Sequence, residues 1–310
     1  MASINALALT VLEVLTLIVG ILANFFIVIT NLVSARRSRS LPSTDLIITS
    51  LAFSNLLLEY FKSFWLISYL FKLRCYLGQL AYNINICFLL FTCCTSFWFT
   101  AWLCIFYCIR IVDISKKCCI RLKEHLPRLV LPFLLGTVVA SGVVSGPIHL
   151  YVRFPVPNNV TDFDDCERYF AQPINYTIYF ACYTFLGRGV PLVLMAGASF
   201  AIVFSLCRHA MRMGNSSTSN SGNARSENQI RVTKIVTSLA FLYACCVLFV
   251  LIYSYQSIMN GSQLFLVTIF SFSIYTAGCP IILILGNTKL RKTMSNLCTL
   301  RCNSNNLNTE

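Results

Sequence analysis

The sequence predicts an all-α membrane protein, a seven-transmembrane helix bundle with its amino terminus outside and its carboxyl terminus in the cytoplasm. Three observations carry this reading. Of 310 residues, 57% are hydrophobic and only 11% are charged, whereas soluble proteins carry about 25% charged residues. The mean hydropathy is +0.72, so a chain of this length could not cover a water-facing surface with polar atoms. Finally, the 24 Lys and Arg, set against 11 Asp and Glu, fall mostly into alternate connections between apolar stretches.

A membrane-crossing helix needs about 20 mainly apolar residues, because lipid offers no partner to an unsatisfied backbone group. The spans are read at approximately 8–33, 46–71, 77–109, 129–150, 177–206, 233–256 and 263–286, with 287–310 as a short cytoplasmic tail of one domain, 1–310. The first contains the uncharged run Val14 to Ala35, and the second is apolar apart from Glu59 and Lys62. The third belongs to the uncharged run Cys75 to Ile109, longer than one crossing needs, so part of it must emerge or tilt. The fourth is uncharged, and the fifth is broken only by Arg188. The last two come from Ile235 to Thr288, divided at the polar Gln256 to Gln263, where Asn260-Gly261-Ser262 reads as a turn. The residues before Val14 lack a basic leader and a cleavage site, so the first span is expected to act as an uncleaved signal anchor. The run Asn215 to Asn223 is polar and low in complexity, and is read as flexible.

Lys and Arg in the short connections set orientation. Arg36, Arg37 and Arg39 follow the first span. Six more lie between Arg110 and Arg128, five between Arg208 and Lys234, and four in the tail, which places eighteen on one side. Lys72, Arg74, Arg153 and Arg168 are the only four on the other. The eighteen are offset by Asp45, Asp113, Glu124, Glu227 and Glu310, so the whole formal charge of +13 lies on the cytoplasmic side. It is an orientation signal facing anionic membrane lipid and a partner, not a nucleic-acid footprint.

Sixteen Cys residues suggest a disulfide framework until they are placed. Most fall within spans or face the reducing cytosol, and only Cys75 and Cys166 face outside. That pair could tie the second outer loop to the top of the third span, and the sequence leaves open whether it does. No Cys and His cluster has metal-ligand spacing, and no cofactor is expected. Of four glycosylation sequons, Asn215 is cytoplasmic, Asn260 lies in a tight turn and Asn175 is close to a helix start. Asn159 is the best acceptor.

A charge at bilayer depth usually faces the bundle interior or a cavity. Glu59 and Lys62, three apart, share one helical face and read as a self-neutralising pair near the outer end, with a ligand-facing role as the alternative. Arg188 must snorkel, find an acid or line a cavity. Gly187, Gly189 and Pro191 weaken the helix around it, so a pocket or kink is expected there. Asn24, Asn55 and Asn287 fit interhelical hydrogen bonds. The last span holds no Lys for a retinal Schiff base, the three His have no catalytic arrangement, and no phosphate loop or zinc-protease motif occurs. An enzyme is not expected. The scarcity of ionisable groups in the spans and the lack of an internal repeat disfavour a pump or carrier.

Six ordered segments carry a resemblance. They are Gly20-x-x-x-Asn24-x-Phe26-Ile27; Leu51-Ala52-x-Ser54; Trp98 through Ile111, with Phe106-Tyr107-x-x-Arg110-Ile111 at its end; Phe204-Ser205-Leu206-x-x-His209-x-x-x-Met213; Lys234-Ile235-Val236-x-Ser238 through Tyr243; and Leu283-Ile284-Leu285-Gly286-Asn287-x-Lys289-Leu290-Arg291. Together they resemble the bitter taste receptors (taste receptor type 2), a group of G-protein-coupled receptors, over nearly the whole chain. Departures mark a divergent member, of a kind expected outside the mammals. Asn55 stands where the family usually has Arg, Arg110 where it has Lys, and Cys279-Pro280 where it has His-Ser. Cys93-Cys94 replaces an Asn-His pair, and Leu89 a Trp. The runner-up is a vomeronasal type 1 receptor, and a small-solute carrier comes behind it.

The resemblance implies a plasma-membrane receptor for a small, mostly apolar agonist, signalling through a heterotrimeric G protein of the gustducin/Gi class. It implies ligand contacts at Trp65, Asn85, Leu89, Cys93, Phe185, Arg188, Cys246, Ile269 and Phe272. G-protein coupling would fall to Tyr107, Arg110, His209, Met213, Lys234 and Lys289, with Pro191 and Pro280 as kink points.

Overall fold

Proline, glycine and polar runs punctuate the apolar stretches, and the helices end close to where they stand. The computed structural model describes residues 2–71, 73–112, 117–148, 177–213, 221–260 and 265–307. Its helices are α1 (Ala2–Ser38), α2 (Ser43–Leu70), α3 (Arg74–Ile111), α4 (Lys117–Ser145), α5 (Thr177–Thr184), α6 (Val190–Met213), α7 (Ser221–Asn260), α8 (Phe265–Gly286) and α9 (Thr288–Leu307). A π-helical turn, Phe185–Gly189, joins α5 to α6 in one rod, and no strand occurs among the described residues.

Among the described residues, helices lie on each of the seven apolar stretches. By length and hydropathy, α1, α3, α4, the α5–α6 rod and α7 can each cross a membrane. The inner part of α8 adds a sixth when taken with the start of α9, from which it is bent by 93°. The remaining helix, α2, carries Asn55, Glu59 and Lys62, which lower its hydropathy. The long uncharged run of the third stretch is broken at Gly78, whose φ of 74° and ψ of 168° are open to glycine alone at little cost. At the bend after α8, the Asn287 side chain accepts a hydrogen bond from the Lys289 backbone N–H at 3.0 Å and starts α9 as an N-cap.

Two helices begin about twelve residues earlier than their apolar patterns predict. α4 starts at Lys117 rather than near 129. Residues 117–126 are mostly good helix formers, and Lys123 ties them to the end of α3 by donating to the Val112 carbonyl at 2.9 Å. It ends at Ser145 rather than 150, where Gly146-Pro147 makes a turn. α7 starts at Ser221 rather than near 233, so Ser221 to Asn223, read as flexible, are helical. The exposed Glu227–Arg231 pair, four apart at 3.5 Å, supports this extension.

The packing closes a ring. α1 meets α2 and α8, α2 meets α3, α3 meets α6, α6 meets α7, and α7 meets α8, while α4 packs outside against α3. At the centre three rings converge from three helices. Phe97 lies 4.7 Å from Tyr243 and 5.0 Å from Tyr275, both edge to face. Exposed apolar side chains such as Leu22, Val143 and Phe200 cover the outside of the bundle, the surface a bilayer requires. A hydrogen-bonded chain threads the interior. Asn24 donates to the Thr276 carbonyl of α8 at 3.1 Å, Asn55 to the Asn24 side chain at 3.3 Å, and Ser96 to the Asn55 side chain at 2.5 Å. Thr100 and Tyr275 complete it at 2.6 Å. Asn24 and Asn55 thus make the interhelical bonds expected of them.

α7 and α8 approach closely at the end that carries α9, where a Cβ built on Gly286 would collide with Ile235 Cγ1. Gly286→Ala is therefore expected to destabilise the protein by about 1–3 kcal/mol, as overpacking does. Gly197→Ala, at a site with nothing within 4 Å, serves as the control and is expected to be neutral or stabilising. Thermal unfolding of the solubilised variants checks both.

Candidate functional site

Arg188 is the focus of the half of the bundle that lies away from the bend between α8 and α9. Pro191 has no N–H to donate, and Gly187 and Gly189 favour no particular backbone conformation. The rod widens here into the π turn, in which the Val190 N–H reaches back to the Phe185 carbonyl. Single π turns inside helices recur at functional sites. This one leaves Arg188 only 4% exposed. Its guanidinium carbon lies 5.4 Å from the ring centres of both Tyr183 and Phe272, a double cation–π arrangement. The thiols of Cys93 on α3 and Cys246 on α7 lie within its electrostatic reach.

Hydrogen bonds hold the surrounding rings. Tyr243 donates to the Arg188 carbonyl at 2.8 Å, and Tyr183 to the Leu90 carbonyl at 2.8 Å. A Cβ on Gly187 would come 3.3 Å from Cys94 Sγ, so a glycine lets the π turn approach α3. The groups gathered here are a cation, aromatic faces and soft sulfur.

A recess lies between α2 and α3, lined by Phe64, Trp65, Ser68, Leu77, Tyr82 and Asn85. Its volume of about 10 Å³ is room for roughly one water. Asn85 is buried there with its Oδ1 lacking a hydrogen-bond partner.

The structure therefore gathers Cys93, Arg188, Cys246 and Phe272 in one place and Trp65 with Asn85 in another, while Leu89 packs half-buried against the core. Phe185 does not join them. It is 66% exposed, because the widened turn sets residues three apart on different faces. The side chain of Ile269 lies outside the described residues, as do Asn159, Cys166 and the side chain of Cys75. The sequence assigns no ligand role to Tyr183 or to Tyr243, which enters it only as the end of a family segment. Tyr183 stands five residues before Arg188, a spacing that faces it only across a π turn.

An ionic cluster joins three helices nearby. Lys62 Nζ lies 2.6 Å from Glu59 Oε2 and 3.2 Å from Glu13 Oε1, and it donates to Ser273 of α8. Ser273 donates to Glu13 Oε1 at 2.5 Å, and Thr276 donates to Glu59. The expected Glu59–Lys62 pair is present, but it is part of a triad. Gly20 makes the room, since a Cβ there would stand 2.9 Å from Glu59 Oε1.

At the end of the bundle that carries α9, Tyr107 is buried, Arg110 is exposed on the last turn of α3, and Lys234 is exposed within α7. His209 and Met213 lie on the last turns of α6, with side chains outside the described residues. Lys289 instead points at the bundle, with its Nζ 2.7 Å from Asp45 Oδ2 and 3.1 Å from Asn31 Oδ1.

Comparison with known proteins follows the same line. A family model described as Taste receptor protein (TAS2R) matches residues 1–301. The chain is 26% identical over 286 residues to taste receptor type 2 member 1 of Pan paniscus, covering 91% of this chain and 92% of that protein. It is 28% identical over 297 residues to taste receptor type 2 member 3 of Papio hamadryas, covering 93% and 91%. Taste receptor type 2 member 40 of Gallus gallus is 24% identical over 306 residues, 96% of each chain.

Proposed function

The chain belongs to the TAS2R taste receptor family, and from that premise we propose that it is a plasma-membrane receptor for small, mostly apolar chemicals of the bitter kind. On binding agonist it activates a heterotrimeric G protein of the gustducin/Gi class. It is a multi-pass membrane protein and a receptor of the G-protein-coupled kind, not an enzyme. The single observation that supports the ligand reading best is Arg188, buried in a π turn between two aromatic rings and two thiols. Trp65 and Asn85 mark an outer annex on α2 and α3. The seven rods all cross, with the amino terminus outside, Asn159 glycosylated and the basic face inside.

An agonist in the outer half acts by its differential affinity for two arrangements of the bundle, favouring the one whose inner face is open. The π turn and Pro280 of α8 are the places where the rods yield most readily. Opening between α3, α6, α7 and α8 then uncovers the buried Tyr107 and leaves Arg110, His209, Met213 and Lys234 lining the cleft that receives the G-protein α-subunit.

The test is a calcium screen of a bitter-compound panel in cells supplied with a gustducin-like chimeric α-subunit. At least one compound is expected to release calcium only when receptor and chimera are both present. Responses that persist without the chimera would overturn the reading in favour of a carrier or channel.

A further inference from the structure

The end of the bundle that carries α9 holds an ion pair between Lys289 and Asp45. Lys289 is the first basic residue beyond the bend, and its ammonium lies against Asp45 and Asn31 rather than in the cytosol. Asn31 is fully buried and its amide donates to Thr49 Oγ1 at 3.0 Å, while Thr49 donates to the Asp45 carbonyl at 2.6 Å. One lysine of α9 is thus bonded to both α1 and α2. On its other side Asp45 lies within electrostatic reach of Tyr107, and Tyr107 of Arg110, which carries the network into α3. Leu290, the next residue, is fully buried in the same core as Ile235, Leu283 and Tyr107. At the Gly286 contact, α7 and α8 leave no room between them at this end.

We propose that Asp45, Asn31 and Lys289 form a latch that holds α9 across the inner ends of α1 and α2 and stabilises the closed inner face, so that Lys289 is a positioning residue and not a G-protein contact. With α8 and α9 held on α1 and α2 at this end, an opening that moves α8 must first break the latch. Releasing the latch shifts the two-state balance toward the open form without agonist. This rests on the receptor reading above.

The experiment compares Asp45→Asn, Lys289→Gln, the double variant and the exchanged pair Asp45→Lys with Lys289→Asp. Agonist-free signalling is normalised to surface receptor, and hydrogen exchange is measured at the amides of residues 288–297 in the purified protein. Each single variant is expected to raise agonist-free signalling about fivefold, a modest population shift. The double variant adds nothing further, because both changes remove one interaction. The exchanged pair returns toward wild type, and the singles speed exchange in α9. Unchanged basal signalling in the singles while wild type responds to agonist, or additive effects, would overturn the latch. A G-protein contact predicts the opposite, a fall in agonist response at Lys289→Gln with exchange unchanged. If wild type itself never signals, the receptor reading fails, and the exchange measurement alone decides whether the latch exists.

Discussion

Replacing Lys62 with methionine is expected to remove the protein from the cell surface. The ammonium stands between two carboxylates, Glu59 at 2.6 Å and Glu13 at 3.2 Å, and all three side chains are buried. Taking one partner out of a buried ionic group strands the others, which costs about 3–5 kcal/mol. Here it would leave two like charges facing each other at bilayer depth, with Ser273 and Thr276 as their remaining donors. A loss of that size is comparable to the whole stability of many domains. Surface labelling of an amino-terminally tagged receptor measures it. Removing the charges altogether, by adding Glu13→Gln and Glu59→Gln to Lys62→Met, is expected to restore part of the surface population, because a neutral cluster strands no charge. Wild-type surface levels for Lys62→Met alone would show that the triad does not hold α1, α2 and α8 together.

Arg188→Ala is expected to weaken the agonist response at least about tenfold while leaving a measurable surface population. The guanidinium is a charge set among aromatic faces and thiols, with its carbon 5.4 Å from the ring centres of both Tyr183 and Phe272. A tenfold change corresponds to about 1.4 kcal/mol, within the range of a desolvated cation–π contact. Arg188→Lys separates charge from shape. It keeps a cation but loses the planar face that stacks between the rings, so it is expected to lie between wild type and alanine. Calcium dose–response curves normalised to surface receptor check both variants. A normal curve for Arg188→Ala would remove Arg188 from the ligand site.

What the sequence reveals and what it hides follow from the range of the interactions involved. Glu59 and Lys62 are neighbours on one helix, and their pairing can be read from spacing. Glu13, which completes the triad, is 49 residues away from Lys62, and its partnership depends on how α1 leans on α2 past Gly20. The weak point at Gly187, Gly189 and Pro191 is local chemistry, and it becomes the π turn. The facing of the residues within that turn is not local. The ordinary helical period groups Phe185 with Arg188, and the widened turn separates them. The early starts of α4 and α7 have the same origin, since hydropathy marks where a helix enters an apolar environment and not where the helix begins. Lys289 reads as one more basic residue on a cytoplasmic tail until the 93° bend turns it back onto Asp45.

The central claim is that ligand binding among the outer rods is converted into exchange on a G protein at the inner face. Its most direct measurement uses purified receptor in lipid discs with purified G protein of the gustducin/Gi class, following guanine-nucleotide exchange as agonist is titrated. The account predicts an agonist-dependent acceleration that saturates, shifts to higher agonist concentration in Arg188→Ala, and disappears when receptor is omitted. Exchange that stays at the receptor-free rate, while the same protein in liposomes moves the compound across the bilayer, would contradict it.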